Sequence, residues 1–143
     1  MALSNLSRLL DVSPREFTDW FWVAYTDAYD WVVEPNVLGM GTYAVGELMT
    51  TKSYVSGAAY LNRMSDYCNH CQLKPRTDCP FTNLYWSFLA RHRALLKDNP
   101  RLKIPIASLQ RRPKELQRYD DVVYRTVQER LLSGKAMSPE NIP

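Results

Sequence analysis

The sequence predicts an all-α fold, and three observations carry that expectation. Apolar residues recur at spacings of three and four across most of the chain. Helix start and stop signals punctuate those runs, and no alternating segment reads as a strand.

The first element spans residues 2–10, where Leu3, Leu6, Leu9 and Leu10 fall at helical spacing. Ser13-Pro14-Arg15-Glu16 then reads as a helix start. Ser13 can cap, Pro14 suits the first turn, and Glu16 completes a capping box. The helix that follows is expected to run to Trp31 or Val33, before Pro35. A loop with Gly39, Gly41 and Gly46 comes next, then a helix from about Ser53 to Tyr67. A cysteine-bearing loop, 68–80, leads to a helix over 81–97 that ends at Asn99-Pro100. Residues 101–108 are expected to be extended or irregular. The last helix covers about 113–133, with Leu116, Tyr119, Val123, Val127 and Leu131 on one stripe and Gly134 as its stop.

The second of these helices is unusual. Seven aromatics (Phe17, Trp20, Phe21, Trp22, Tyr25, Tyr29 and Trp31) point in nearly every direction when wound at helical pitch. A helix apolar all round is normally buried on all sides, so it is expected to pair with another copy or with protein outside this chain.

At 143 residues the chain has the length of one domain, and its 45% hydrophobic and 23% charged content excludes disordered and fibrous classes. No apolar run reaches membrane-spanning length, and the first residues lack a signal-peptide core, so membrane partners and secretion are not expected. The net charge of +3 conceals a split. Residues 1–62 carry three Lys/Arg against seven Asp/Glu, net −4, and residues 63–143 carry fifteen against eight, net +7. A basic half fits a polyanionic partner, and it equally fits a solvated helical surface.

Three constellations could carry chemistry. Cys68-Asn69-His70-Cys71, followed by Cys79-Pro80, places three thiols in one short stretch. A C-x2-C pair can converge on one metal, and Cys-Pro commonly closes an iron–sulfur ligand run. Zinc and three buried free thiols are the competing readings. Either metal site wants a fourth ligand. His70 is poorly placed inside the pair, and His92 is expected to be half-buried beside Phe88 and Leu89. Second, Trp20, Asp27, Trp31 and Glu34 fall within about 60° of one another if the aromatic helix continues that far. Such a polar line could meet a heterocyclic cofactor, or simply face water. Third, Tyr54, Tyr60, Arg63 and Tyr67, with Arg91, Arg93, Lys97, Arg101 and Lys103, could stack on bases and grip phosphates, or serve packing and solubility. No phosphate-binding glycine loop, dinucleotide fingerprint, HExxH or nucleophile elbow occurs.

The run TDWFWVAYTDAYDWVVEPNVLGMGTYAVGELMTTKSYVSGAAYLNRMSDYCNHC (residues 18–71), with Cys79-Pro80 and LYWSFLARHR, resembles the C-terminal part of the iron–sulfur bacterial cryptochromes and photolyases. That group includes the prokaryotic (6-4) photolyases, and the resemblance is continuous over about residues 1–110. It implies part of a helical FAD and [4Fe–4S] domain over 1–110, followed by a C-terminal helix and tail over 111–143. It also implies light-driven electron transfer to pyrimidine (6-4) photoproducts in DNA, in the bacterial cytoplasm. Cys68, Cys71 and Cys79 fall on three of four cluster ligands. Trp20 matches a tryptophan of the flavin-reducing path, Asp27 the flavin-side acidic position, and Tyr54 and Tyr60 tyrosines of the lesion-binding face. The fourth cysteine, a histidine pair and an antenna domain with its own chromophore belong upstream in that family.

The resemblance leaves open which residue faces the reactive flavin nitrogen, because Val33 stands there with Glu34 beside it. The tryptophan that ordinary photolyases carry near Val37 has no counterpart. Met1 is thus expected to be an internal start or a truncation. This chain alone is expected to repair nothing and to hold neither FAD nor a stable four-iron cluster. A light-signalling or nucleic-acid-binding module without catalysis is the alternative.

Overall fold

The computed structural model describes residues 2–51 and 53–143, and every regular element among them is helical. The chain divides into two compact units, one ending at Val55 and the other running from Ser56 to Pro143.

In the first unit, α1 (Ala2–Leu9) is followed by α2 (Pro14–Ala24). Pro14 does open α2, and the Ser13 carbonyl accepts from the Phe17 N–H at 3.0 Å. The Ser13 hydroxyl makes no capping bond, so the expected capping box does not form. Nor does the aromatic helix continue to Val33. It stops at Ala24, Tyr25 turns extended, and a short α3 (Asp30–Val33) resumes after the turn. Thr26 and Asp27 supply the reason, because short polar side chains favour turns over helix interiors. The break lets Tyr25 fold back to stack on Phe21, ring centroids 5.0 Å apart.

The expected glycine loop is partly ordered. Glu34–Gly41 forms a π-helix, a rare conformation usually confined to single turns. Gly41 permits it to approach α1, since a Cβ there would lie 3.0 Å from the Ser4 hydroxyl and 3.1 Å from the Asn36 carbonyl. Phe17, Val33 and Val37 form the small core of this part, with Phe21, Trp22 and Ala28 packed against them. Arg8 is buried in the same unit, donating to the Ser53 hydroxyl and lying over the Tyr43 ring. Burial pushes its guanidinium down to about 10, against which nearby Tyr43 acts.

The second unit begins with α4 (Ala58–Met64), shorter at both ends than the expected 53–67. The helix expected over 81–97 is two, α5 (Phe81–Arg91) and α6 (Arg93–Leu96), separated at His92. A larger correction concerns 101–108. After a 3₁₀ turn at Pro100–Leu102, α7 (Lys103–Arg111) is a regular helix rather than an extended segment. Asn99 caps the turn by accepting from the Arg101 N–H at 2.9 Å, and Pro105 sits in the first turn of α7, where no N–H is needed. Leu102, Ile106 and Leu109 then bury one face.

The last helix, α8 (Lys114–Leu132), packs along α5. Val123 and Val127 of its stripe are buried, while Leu116, Tyr119 and Leu131 remain exposed. Gly134, at φ +69°, ends it as expected. The Gly134 and Lys135 N–H groups bond back to the Leu131 and Arg130 carbonyls, a Schellman closure.

Candidate functional site

The cysteine loop joins α4 to α5. Ser65 turns extended after α4, and its hydroxyl ties back to the Leu61 carbonyl at 2.7 Å. A tight turn then sets the first two thiols, with the Cys71 N–H reaching the Cys68 carbonyl at 3.4 Å. The Lys74 carbonyl gathers the N–H groups of Thr77, Asp78 and Cys79, which delivers the third thiol to the start of α5. Cys68 and Cys79 are half-buried and Cys71 is exposed. Burial pushes the Cys79 thiol up, the Phe81 N–H opposes this, and charge on Cys68 and Cys71 adds to the rise. The three thiols therefore share one electrostatic neighbourhood.

Among the described residues, however, no three His, Cys, Asp or Glu side chains are already gathered as a metal site. The donor type suits iron–sulfur or zinc chemistry, and three thiols fall one short of the usual four. His70 is exposed on the turn. His92 is half-buried against Phe88, ring centroids 4.6 Å apart, as expected.

In the first unit, Phe21, Tyr25, Asp27, Ala28, Val32, Val33, Asn36 and Val37 line a cleft of about 270 Å³. Asp27 is at this cleft because the helix breaks, and Asn36 because the π-helix follows. The Asn36 amide also donates to the Val32 carbonyl at 2.8 Å. Stacked rings beside a carboxylate and an amide suit a planar heterocycle. The volume lies just under the roughly 300–1,000 Å³ of ordinary cofactor sites, so these residues fit part of a flavin dinucleotide rather than the whole.

Trp20 packs parallel to Phe17 and edge-on to Phe21 and Tyr25, and it is 46% exposed. The expected polar line does not exist. The break rotates Trp31 and Glu34 away from the register of Trp20, leaving Trp31 76% exposed and stacked on Tyr29. Tyr54 is 53% exposed in the first unit. Tyr60 is half-buried on α4 with the Arg63 guanidinium 5.8 Å from its ring.

Sequence reasoning missed a polar cluster between α5 and α8. Asp120, 2% exposed, accepts two bonds from Arg112 and one from Asn83, and Arg112 lies over the Trp86 ring. Its signal was present, because Asp120 precedes Val123 and Val127 at i+3 and i+7 on an apolar stripe.

The site thus belongs to an all-helical protein with a three-thiol loop and an aromatic, acid-bearing cleft. Along most of its length the chain is related to a photolyase. It is 41% identical over 121 residues to a (6-4) photolyase of Agrobacterium fabrum, a match covering 81% of this chain. The chain spans only 24% of that protein. It is also 27% identical over 116 residues to an uncharacterized protein of Acanthamoeba polyphaga mimivirus, and there the match covers 91% of the relative. No family model matches the chain. No described helix is long and apolar enough to cross a membrane.

Proposed function

We propose that this chain is a segment of the helical domain of a light-driven DNA repair lyase acting on pyrimidine (6-4) photoproducts. The observation that carries this reading is the 41% identity to a (6-4) photolyase across 81% of the chain. In this reading Cys68, Cys71 and Cys79 are three ligands of a four-iron cluster whose fourth thiolate lies outside the chain. Asp27 contacts the flavin side, Trp20 passes electrons toward it, and Tyr54 and Tyr60 meet the lesion. A bound flavin supplies the photochemistry. The residues of this chain wall part of its site, exclude water with Phe21 and Tyr25, and present a carboxylate to it.

The test is an exchange. The matched stretch of the Agrobacterium fabrum (6-4) photolyase is replaced by the matched residues of this chain, and the purified chimera is analysed for iron and acid-labile sulfide. The reading predicts both in near-equal amounts, with loss of both on Cys68→Ser, Cys71→Ser or Cys79→Ser. Zinc without sulfide would move the loop to a zinc site.

A second reading, a nucleic-acid-binding or light-signalling module without catalysis, has one observation in its favour. The match to the mimiviral relative runs through 91% of that protein. A related protein thus consists almost wholly of this stretch. The two readings separate on whether the chimera repairs the lesion.

A further inference from the structure

We propose that the surface formed by α6, α7 and the start of α8 is a contact surface for the phosphate backbone of duplex DNA, resting on the DNA-directed reading above. Arg93 and Lys97, Lys103 and Arg111, and Lys114 and Arg118 are all exposed. The four-residue spacings stack Arg93 with Lys97 and Lys114 with Arg118, while Lys103 and Arg111 stand at the two ends of α7. The Lys97 N–H bonds to the Arg93 carbonyl at 3.0 Å, which keeps that first pair in helical register. None of the six makes an ion pair with a carboxylate among the described residues. The acids of this stretch are Asp98 and Glu115.

Elsewhere this chain handles surface charge differently. Arg15 pairs with Asp19, and Arg125 with Asp121, each at 3.0 Å and i,i+4 spacing. Like charges at that spacing cost a helix about 0.2–0.5 kcal/mol per pair instead of stabilising it. Two such rows, with the unpaired cations Lys103 and Arg111 on the helix between them, therefore repel one another until a polyanion neutralises them. Between Lys103 and Arg111 the exposed residues of α7 are Ile104, Ala107, Ser108 and Gln110, and the small pair Ala107 and Ser108 leaves room at mid-helix for a sugar-phosphate strand to approach. DNA is the polyanion that the proposed function brings to this protein.

The experiment uses the full chain and a fluorescent undamaged duplex, with binding followed by anisotropy over a series of salt concentrations. Each phosphate neutralised adds about 0.9 to the slope of log affinity against log salt. The variant Arg93→Gln/Lys97→Gln/Lys103→Gln/Arg111→Gln is expected to bind at least about 10-fold more weakly and to flatten the slope by about 3–4. Arg15→Gln/Arg125→Gln, which removes paired cations, is expected to leave the slope within about 1 of the unaltered chain. Circular dichroism checks that both variants keep their helices. An unchanged slope in the fourfold variant, or no salt dependence in the unaltered chain, overturns the surface. The same titration and fourfold variant in the exchange chimera, on a duplex holding one (6-4) photoproduct, separate this inference from the reading it rests on. A flattened slope on both duplexes without lesion preference upholds the surface and counts against repair. Lesion preference that survives with an unchanged slope in the fourfold variant overturns the surface and leaves repair standing.

Discussion

Arg112 holds Asp120 through two parallel hydrogen bonds, 2.7 Å from Nε and 2.8 Å from Nη2, and Asn83 donates a third at 2.9 Å. The cluster fastens α8, and the segment before it, to α5. It also settles a cost, because a carboxylate so deeply buried would be expensive without its partners.

Removing one partner should therefore hurt more than removing both. Asp120→Asn leaves Arg112 without a counter-charge and is expected to cost about 3–5 kcal/mol. Urea denaturation followed by circular dichroism measures it. The double replacement Asp120→Leu/Arg112→Met should recover most of that loss, and equal losses in the two variants would contradict the argument.

Gly41 makes a second prediction. Its close approach to Ser4 and to the Asn36 carbonyl admits a methyl group only if those neighbours shift by a few tenths of an ångström. Gly41→Ala should destabilise the fold by about 1–3 kcal/mol, the usual cost of overpacking. Ser4→Gly in the same chain relieves one of the two clashes and should return part of it. A neutral Gly41→Ala in thermal melting would show that the π-helix yields freely.

The cysteine loop predicts an order of reactivity. Exposed Cys71 should alkylate first with iodoacetamide. Cys79, its thiol held up chiefly by burial, should lag at neutral pH and catch up only as the pH rises. Peptide mass spectrometry reads both. The sign for stability follows. The folded state holds the Cys79 proton more tightly than the unfolded chain does, so stability is lost as the pH rises through the folded value.

Much of this was legible from residue order. Pro14 and Gly134 marked helix ends where the structure has them, and the 3–4 spacing marked the buried side of α8 at Val123 and Val127. The failures share a cause, local backbone chemistry that outweighs the broader sequence pattern. Thr26 and Asp27 broke a helix that aromatic content alone would have continued. Residues 101–108 read as extended or irregular, yet Pro100 and Pro105 both occupy first turns of helical segments, where a missing N–H costs nothing. The site was legible as residue types and less so as geometry. The cysteine spacing gave the thiol loop, while the cleft around Asp27 depends on a helix break and a π-helix that no periodicity announces.

The central claim is that this chain is equivalent to the matching segment of a (6-4) photolyase. The most direct measurement is light-dependent repair of a duplex holding a single (6-4) photoproduct by the exchange chimera, followed by chromatography of the restored strand. The account predicts repair in light and none in darkness, with a clear loss of rate on Trp20→Phe. A chimera that melts cooperatively and binds the damaged duplex, yet restores no strand under illumination, would contradict it.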